Sequence, residues 1–505
     1  MESNTTLHER RFGLTFKAGI YNYHVGVMQE AVKKPIKPTR MLSGVHVFAV
    51  MAKPYPCPHG KCLYCPGGPD KGTPQSYVGN EPALMRAIHA GFDPYLQVKL
   101  RLKQYQAMGH LPSKAEVVIM GGTFNAMPRD YQVWFVTRTF EAFNRYPEDP
   151  PGELPSLEEA QLRNETAQIR VVGLTIETRP DWARKEDADW FLYLGATKIE
   201  IGVQSIHEDV LKRVNRGHGV KEVVDATRIL KDTGFKVVYH IMPGLPGSNF
   251  DRDIEMVREI FSNPDFMPDM LKIYPTLVME GTGLYEQWRR GLYKPLTDEE
   301  AVELISEMYR YIPRWVRVIR VQRDVPANQI IAGPKKSNLR ELVERKAIEK
   351  GITINDVRYR EVSRQIRRGI VPKEIRITRE TYQASMGEEI FLAAEDPENN
   401  VLVGLIRMRI PSPYAHRWEI DGRTAIIREL HVYGPEVPIG GYDEEAWQHK
   451  GWGSKLLKEA ERIALEEYDR IKMLVLSGVG AREYYRKHGY TRPRDSPYMT
   501  KILQS

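Results

Sequence analysis

The 505-residue sequence contains only three cysteines, Cys57, Cys62 and Cys65, which all lie in one short stretch. A chain of this length with no other cysteine has no disulfide framework, so it fits a reducing compartment. Long apolar runs are also missing, because no stretch approaches the roughly 18 residues that a membrane helix needs. The first residues, MESNTTLHERR, lack the apolar stretch of a signal peptide. We therefore expect a cytoplasmic protein that does not enter a membrane.

The spacing of the cysteines, C-x4-C-x2-C, is typical of metal ligands, and it allows several interpretations. A plant-type ferredoxin cluster begins in this way, but it needs a fourth cysteine, which the sequence lacks. A zinc site could recruit His59, although only one residue separates His59 from Cys57. A four-iron cluster held by three thiolates leaves one iron open, and such an iron can bind S-adenosylmethionine for radical chemistry. The pattern favours the open cluster, with zinc and unligated thiols as alternatives.

Short β-branched runs alternate with helical patterns from residue 45 to about residue 280. Strand–helix alternation predicts right-handed βαβ units and a parallel sheet. Six such units predict an open, partial (β/α)6 barrel, and we expect this domain to span residues 45–310. The predicted strands are residues 45–51, 116–120, 169–176, 198–203, 235–241 and 270–274.

Glycines and polar residues follow several of these strands, where parallel α/β folds bind their ligands. The cysteine loop follows the first strand, Gly121 and Gly122 follow the second, and Gln204 ends the fourth. Glycine at such a place lets backbone amides approach a ligand without a Cβ in the way. Because these loops share one predicted face, we expect them to form one site with the cysteines.

Positive charge is concentrated in one part of a chain whose net charge is +7. Residues 311–380 hold 18 basic and 8 acidic side chains, an excess expected of a phosphate-binding surface or of a solvated helix face. We expect residues 311–370 to be a basic connector and residues 1–44 to be a second basic segment. The candidate phosphate contacts are Lys33, Lys34, Lys37, Arg364, Arg367 and Arg368.

The last part of the chain, residues 371–505, changes to an antiparallel pattern. Strands are predicted near residues 374–379, 389–395, 401–410 and 424–432. A turn that contains Gly451 and Gly453 then opens an amphipathic helix. A glycine-rich turn at a helix N-terminus offers free N–H groups and the positive end of the helix dipole to a pyrophosphate.

The first half of the chain resembles the radical S-adenosylmethionine (SAM) superfamily. The last part resembles the GNAT acetyltransferases, whose Q-x-x-G-x-G pattern is present as Gln448, Gly451 and Gly453. Over roughly residues 20–505 the motifs closely resemble the family of Elongator catalytic subunits, which are tRNA carboxymethyluridine synthases. The motifs are the cysteine loop, Met120-Gly-Gly-Thr-Phe124, Glu200-Ile-Gly-Val-Gln-Ser205, Met242-Pro-Gly-Leu-Pro-Gly247, Arg428-Glu-Leu-His-Val-Tyr-Gly434 and Tyr484-Tyr485-Arg-Lys.

The resemblance implies a partial barrel of the radical SAM type followed by an α+β GNAT domain. Cys57, Cys62 and Cys65 would hold a 4Fe–4S cluster, and SAM would bind its fourth iron. The resulting deoxyadenosyl radical would take hydrogen from the methyl group of acetyl-CoA, and the carbon radical would add to C5 of a wobble uridine in the tRNA anticodon stem-loop. Water would then release CoA and leave 5-carboxymethyluridine.

The resemblance also implies individual contacts. Lys114 and Tyr485 match acetyl-CoA residues with catalytic roles, whereas Tyr484 is expected to pack in the core. Lys114 lies on the radical half, so the two sites are expected to face each other. The other implied cofactor contacts are Gly121, Gly122 and Gln204 for SAM, and Glu429, Leu430, His431, Val432, Trp452, Gly453 and Ser454 for acetyl-CoA. No cysteine remains for a zinc site in the connector.

Three functions compete at this point. The leading hypothesis is a tRNA-modifying radical enzyme whose basic segments hold tRNA phosphates. The alternative is a protein lysine acetyltransferase with a structural iron–sulfur domain, and the third is a noncatalytic RNA-binding scaffold. Loops that converge on the presumed cluster argue against a structural cluster, and the pyrophosphate turn argues against a scaffold.

Overall fold

The computed structural model describes residues 43–434 and 451–504. Lys33, Lys34, Lys37 and Gln448 lie outside these ranges. Within them the strands are β1 (His46–Met51), β2 (Lys114–Met120), β3 (Arg170–Thr178), β4 (Lys198–Gln204), β5 (Lys236–Ile241), β6 (Met270–Ile273), β7 (Val278–Met279), β8 (Arg317–Val321), β9 (Ile330–Ala332), β10 (Arg376–Ala384), β11 (Gly387–Asp396), β12 (Val401–Ile410), β13 (Thr424–Val432), β14 (Lys472–Val475) and β15 (Met499–Ile502).

The helices of the same ranges are α1 (Pro82–His89), α2 (Pro94–Ala107), α3 (Arg129–Arg145), α4 (Leu157–Asn164), α5 (Lys185–Leu194), α6 (Glu208–Arg213), α7 (Val220–Asp232), α8 (Phe250–Ser262), α9 (Gly283–Arg289), α10 (Asp298–Met308), α11 (Leu339–Glu349), α12 (Val357–Arg360), α13 (Val362–Arg367), α14 (Trp452–Glu466) and α15 (Arg482–Arg486). Side chains at the helix N-termini bond to free amides. In α10, for example, Thr297 and Glu300 form a capping box. None of the described helices combines the length and the apolar character that a membrane crossing requires.

A seven-stranded parallel sheet in the order β1-β2-β3-β4-β5-β6-β8 forms the first domain, which confirms the predicted partial barrel. The sheet has one strand more than predicted. Strand β8 comes from the stretch predicted to be a basic connector, and it pairs in parallel with β6. Arg317 and Arg320 give this strand its basic appearance, whereas Val318 and Val321 are buried and supply the strand pattern.

The concave face of this sheet bounds the interior of the partial barrel, which we call the lumen. In β2, Ala115, Val117 and Ile119 are fully buried in the core beneath the surrounding helices. The alternate residues of β2, including Glu116 and Met120, face the lumen and are only half-buried. Because side chains alternate between the two faces of a strand, this pattern places packed core on the convex side and accessible space on the concave side.

A six-stranded sheet in the order β10-β11-β12-β13-β14-β15 forms the second domain, with α14 packed against β11, β12 and β13. This mixed sheet has the GNAT arrangement that was predicted. Strand β13 pairs with β14 only from Thr424 to Ile427. Beyond Ile427 the two strands separate, so no described strand covers that edge of residues 429–431. An uncovered strand edge offers backbone N–H and C=O groups to an extended ligand.

The two domains meet across a seam of buried charges, and all described residues belong to one compact unit. Arg428 of β13 donates to Asp269 and to Glu389, each at 2.6 Å. Arg409 of β12 donates to Asp232 at 2.7 Å. Lys231 lies 3.2 Å from Asp269, so the seam holds three cations and three carboxylates, each at most 1% exposed. Arg428 and Lys231 hold the pKa of Asp269 well below its usual value, in spite of its desolvation.

Glycines let the backbones approach closely along the same seam. A Cβ on Gly478, which follows β14, would lie 2.1 Å from the carbonyl oxygen of Val172 in β3. A Cβ on Gly234, just before β5, would lie 3.2 Å from Cγ2 of Ile426 in β13. The GNAT domain therefore packs directly against the amino ends of the barrel strands and forms the floor of the lumen.

Replacing Asp269 with alanine would leave Arg428 and Lys231 buried with only one shared carboxylate, Glu389. Removing one partner of a buried ion pair costs about 3–5 kcal/mol, so we expect the free energy of unfolding to fall by about that amount. Urea denaturation followed by circular dichroism measures the change.

The matched control is Asp225→Ala, because the Lys221–Asp225 pair lies on the surface, with side chains 82% and 45% exposed. A change below about 0.5 kcal/mol is expected there. Equal losses in the two variants would mean that the seam charges contribute no more than solvated ones.

Candidate active site

The three thiols lie on the loop that follows β1, at the carboxyl end of the barrel. Tight turns shape the loop: Gly60 N donates to the Cys57 carbonyl at 3.0 Å, and Cys65 N donates to the Cys62 carbonyl at 3.0 Å. Cys62 and Cys65 are buried and Cys57 is half-buried. The structure therefore brings together all three cysteines that the sequence predicts as ligands.

Polar side chains from other strands approach the sulfur atoms. Arg216 Nη1 donates to Cys62 Sγ at 3.5 Å, and Arg216 Nη2 donates to the Gly202 carbonyl at 2.6 Å. His59 Nε2 lies 3.1 Å from Cys62 Sγ. Desolvation, together with Arg179, lowers the pKa of His59 to about 4, so this imidazole is neutral at physiological pH. Donors around metal-bound sulfur tune the charge and the potential of a cluster.

The three thiols do not form a ready-made tetrahedral site for a single zinc ion. Zn–S bonds of about 2.3 Å place tetrahedral sulfur ligands about 3.8 Å apart. Among the described His, Cys, Asp and Glu side chains, one group of three has ligand atoms within 4.8 Å of one another, and it contains no cysteine. Burial raises the pKa of Cys65 to about 11, so a metal would be needed to make it a thiolate.

The predicted SAM contacts lie beside the thiols. Gly121 and Gly122 have φ values of 145° and 88°, and a Cβ on Gly122 would lie 3.8 Å from Cys57 Sγ. Gln204 has a left-handed φ of 68°, and its Oε1 is buried with no hydrogen-bond partner in the described chain. A strained residue with an unsatisfied buried oxygen is a feature of ligand sites, so this edge fits a polar cofactor.

The predicted acetyl-CoA strand lies at the opposite end of the lumen. Glu429, Leu430, His431 and Val432 form the end of β13. Arg407 donates to Glu429 at 2.6 Å. Burial alone would raise the pKa of Glu429, but the Arg407 guanidinium lowers it to about 2. His431 Nε2 donates to the Ser43 carbonyl at 2.9 Å.

Two lysines of the barrel reach the same end of the lumen. Lys114 opens β2, opposite Arg170 in the register, and a Cβ on Gly480 of the GNAT domain would lie 2.5 Å from Arg170 Cβ. Lys236 opens β5, immediately after Phe235, whose carbonyl accepts from Arg428 at 2.7 Å. Burial lowers the pKa of Lys236 against the attraction of Glu429. Lys114 therefore lies at the end of the barrel that meets the GNAT domain, and its contact with acetyl-CoA stays a prediction.

The predicted pyrophosphate turn begins α14. Gly451 has a φ of 73°, Trp452 is the first helical residue, and Ser454 Oγ lies 2.9 Å from His488 Nε2. A Cβ on Gly453 would lie 2.8 Å from the Tyr484 hydroxyl. Tyr485 is buried in the GNAT core. The hydroxyl next to the turn thus belongs to Tyr484, and the CoA contact of Tyr485 stays a prediction.

Comparison with known proteins agrees with this two-domain site. Residues 54–260 match the radical SAM superfamily, residues 268–349 match the Radical_SAM C-terminal domain, and residues 360–490 match the acetyltransferase (GNAT) family. The chain is 51% identical to the tRNA uridine(34) acetyltransferase of Methanocaldococcus infernus, over 92% of this chain and 87% of that protein. It is 45% identical to human Elongator complex protein 3, over 94% of this chain and 86% of that protein.

The chain belongs to the Elongator complex protein 3 family. A solved structure of M. infernus Elp3 that lacks residues 1–46 superposes with a TM-score of 0.79 at 46% identity, covering 92% of this chain and all of that chain. A radical SAM domain uses a 4Fe–4S cluster with SAM, and a GNAT domain uses acetyl-CoA.

The arginines predicted to contact tRNA phosphates differ in their partners. Arg364 donates to Glu361 at 2.9 Å, and Arg368 donates to Glu344 at 3.0 Å while it stacks on Tyr359. Arg367 is exposed, and no described residue pairs with it. Of the three, Arg367 is therefore the side chain most accessible to a phosphate.

Sequence reasoning missed the charged residues that line the lumen of this family member. Glu200, His240 and Lys272 lie inside three of the predicted strands, and they are not among the predicted site residues. Charged residues at alternate positions of a predicted strand would have indicated a polar inner face. Arg216, which contacts Cys62, lies in a loop with no signal of its own.

We expect Cys62→Ala to abolish iron binding and to spare CoA binding. Two thiolates cannot retain a four-iron cluster, whereas the CoA residues lie at the other end of the lumen. Iron content with visible absorbance measures the first property, and calorimetric titration with CoA measures the second. Loss of both properties would contradict the prediction, since it would mean that the loop supports the fold of the GNAT domain.

Proposed function

We propose that this chain is a tRNA-modifying enzyme that uses a radical SAM centre and acetyl-CoA to install a carboxymethyl group on C5 of the wobble uridine. One observation carries the proposal: the thiol loop and the uncovered edge of β13 lie at opposite ends of one lumen. A substrate in the lumen can therefore meet both cofactors. The similarity to the M. infernus tRNA uridine(34) acetyltransferase supports the same substrate.

Residues at different positions along the lumen have different proposed roles. Cys57, Cys62 and Cys65 would hold the cluster, and Gly121, Gly122 and Gln204 would position SAM. When bound, the cluster and SAM supply a carbon radical that can take a hydrogen atom from an unactivated methyl group. Lys236 and Lys114, at the floor, are placed to orient the thioester carbonyl.

The acetyltransferase residues fix the acyl donor. The backbone of residues 429–432 would pair with the pantetheine arm, and Trp452, Gly453 and Ser454 would bind its pyrophosphate at the N-terminus of α14. Tyr485 is the proposed side-chain contact with CoA. The acetyl methyl carbon, after losing one hydrogen atom to the deoxyadenosyl radical, would form the new bond to C5. C5 would then lose its hydrogen as a proton, and one electron would return to the oxidised cluster. Water would take the place of CoA at the thioester carbon to leave the carboxylate.

Anaerobic incubation with reductant, SAM, acetyl-CoA and tRNA tests the proposal. We expect 5-carboxymethyluridine at the wobble position, with deoxyadenosine and free CoA as the other products, all measured by mass spectrometry. If deoxyadenosine forms but no uridine is modified, the wobble uridine of tRNA is not the substrate. Acetylation of peptide lysines that does not depend on iron would favour a protein lysine acetyltransferase instead.

The proposed tRNA surface comprises Lys33, Lys34 and Lys37 together with Arg364, Arg367 and Arg368. Because each lost phosphate contact reduces the slope of log K against log salt by about one, we expect Arg367→Ala to lower it by about one and the triple arginine variant by up to about three. Filter binding of tRNA at several salt concentrations measures the slope.

Arg462→Ala is the control for the salt experiment, because the Arg462 guanidinium is already paired with Glu459, Glu466 and Glu467. The slope of log K against log salt should be the same for Arg462→Ala as for the wild type. An unchanged slope in the triple arginine variant would show that Arg364, Arg367 and Arg368 are solvated surface residues. The sequence has no cysteine outside the cluster loop and so no disulfide framework, which supports a reducing, cytoplasmic setting for the reaction.

A further inference from the structure

Four ionisable residues form a cluster in the middle of the lumen, and we call Glu177, Glu200, His240 and Lys272 the Glu200 cluster. They come from the neighbouring strands β3, β4, β5 and β6. His240 Nε2 donates to Glu200 Oε2 at 2.8 Å, and Lys272 donates to the same oxygen. Lys272 also lies 3.8 Å from Glu177. Glu200 is 2% exposed and Lys272 is 8% exposed, so this is a built site rather than a surface patch.

The Glu200 cluster already contains a cation, the ammonium group of Lys272. The ligand atoms of Glu177, Glu200 and His240 lie within 4.8 Å of one another, which is a spacing that a metal ion could use. The ammonium of Lys272, however, bonds to Glu200 and neighbours Glu177. A divalent ion at that point would be repelled by the lysine charge, so the carboxylates are already neutralised without a metal.

One oxygen of Glu200 remains available. Both hydrogen bonds to this carboxylate end on Oε2, and no described residue donates to Oε1. Lys272 and His240 hold the pKa of Glu200 well below its usual value, in spite of desolvation, so the carboxylate is charged. The cluster thus presents an acceptor, Oε1, next to an ammonium that has a third N–H to donate.

The position of the cluster suits a substrate. Gln204 lies at the cysteine end of β4. Glu200 precedes it by four residues, so Glu200 lies about 13 Å further along the strand from the cysteines. Lys236, at the acyl end, precedes His240 by four residues on β5. Tyr274 follows β6, and its ring meets the ring of His240 at 5.5 Å. A planar group held here would have the radical site above it, the thioester below it and an aromatic ring beside it.

We propose that the Glu200 cluster reads the imide edge of the uracil base, with Glu200 Oε1 accepting from N3–H and Lys272 donating to O4. This inference rests on the proposed function and names the contacts that select the base. Uracil places a donor beside an acceptor at these positions. Cytosine in the same pose would turn its N3 lone pair toward the carboxylate and its amino group toward the ammonium. His240 is a positioning residue, since it fixes Oε2 and thereby aims Oε1.

Three anticodon stem-loops that differ only at the wobble base test the inference: uridine, 3-methyluridine and cytidine. 3-Methyluridine keeps both carbonyls but lacks the N3–H. We expect wild-type kcat/KM to fall on the order of 100-fold for 3-methyluridine, because a site built around a donor rejects the analogue that lacks it. The Kd for RNA without reductant should rise about tenfold.

Glu200→Gln tests the carboxylate itself. His240 and Lys272 both donate to the Oε2 position, so the glutamine oxygen would occupy it and the amide N–H would point at the base. We expect lower activity on uridine and a uridine-to-cytidine ratio at least about tenfold below wild type. Glu116→Gln is the matched control, because Glu116 faces the same lumen and pairs with Lys198. Its ratio should equal that of the wild type.

The results of these experiments distinguish a failure of the imide contact from a failure of the proposed function. Wild-type enzyme that modifies uridine and 3-methyluridine equally well would overturn the imide contact and leave the proposed function intact. Enzyme that modifies neither RNA, although it cleaves SAM, would overturn the proposed function. Iron content and thermal denaturation show whether Glu200→Gln is folded. If it is not, the wild-type comparison of the three RNAs decides.

Discussion

The seam of buried charges between the barrel and the GNAT sheet determines where everything else lies. Asp232 and Asp269 extend from the barrel and meet Arg409 and Arg428 of the GNAT sheet. Buried ion pairs add little to stability in themselves, but a misaligned pair leaves an uncompensated charge at a cost of several kcal/mol. One relative orientation of the two domains is therefore strongly preferred. That orientation places the end of β13 at the floor of the lumen, opposite the cysteines.

The lumen departs from the usual interior of a parallel barrel, which is filled by layers of branched apolar side chains. Here the inner positions carry Glu116, Lys198, Glu200 and Lys272, and the packed core lies on the convex side beneath the helices. Charged groups in such a place are tolerated because each has a partner of opposite charge within the sheet. The arrangement keeps the interior polar and fixed in geometry, as a site for a neutral, polar nucleobase requires.

Much of the fold could be predicted from the sequence because local patterns determine it. The predicted strands at residues 198–203 and 235–241, for example, agree with Lys198–Gln204 and Lys236–Ile241. The cysteine loop and Gly122 were also predicted, since spacing and glycine carry direct signals. Strand β8 was missed because its arginines resemble a solvated basic run, and their partners, such as Glu361 for Arg317, come from distant parts of the chain. The position of Tyr484 beside Gly453 likewise depends on tertiary packing, which a dipeptide does not encode.

The glycines of the seam have a consequence for how an acyl carrier reaches its site. With Gly478 against the Val172 carbonyl, the domains are in backbone contact at the floor, and the buried charges next to it resist separation. A hinge motion that separates the two domains is therefore disfavoured. An acyl carrier that pairs with the end of β13 would then have to reach it along the exposed margin of that strand, while the two domains stay in contact.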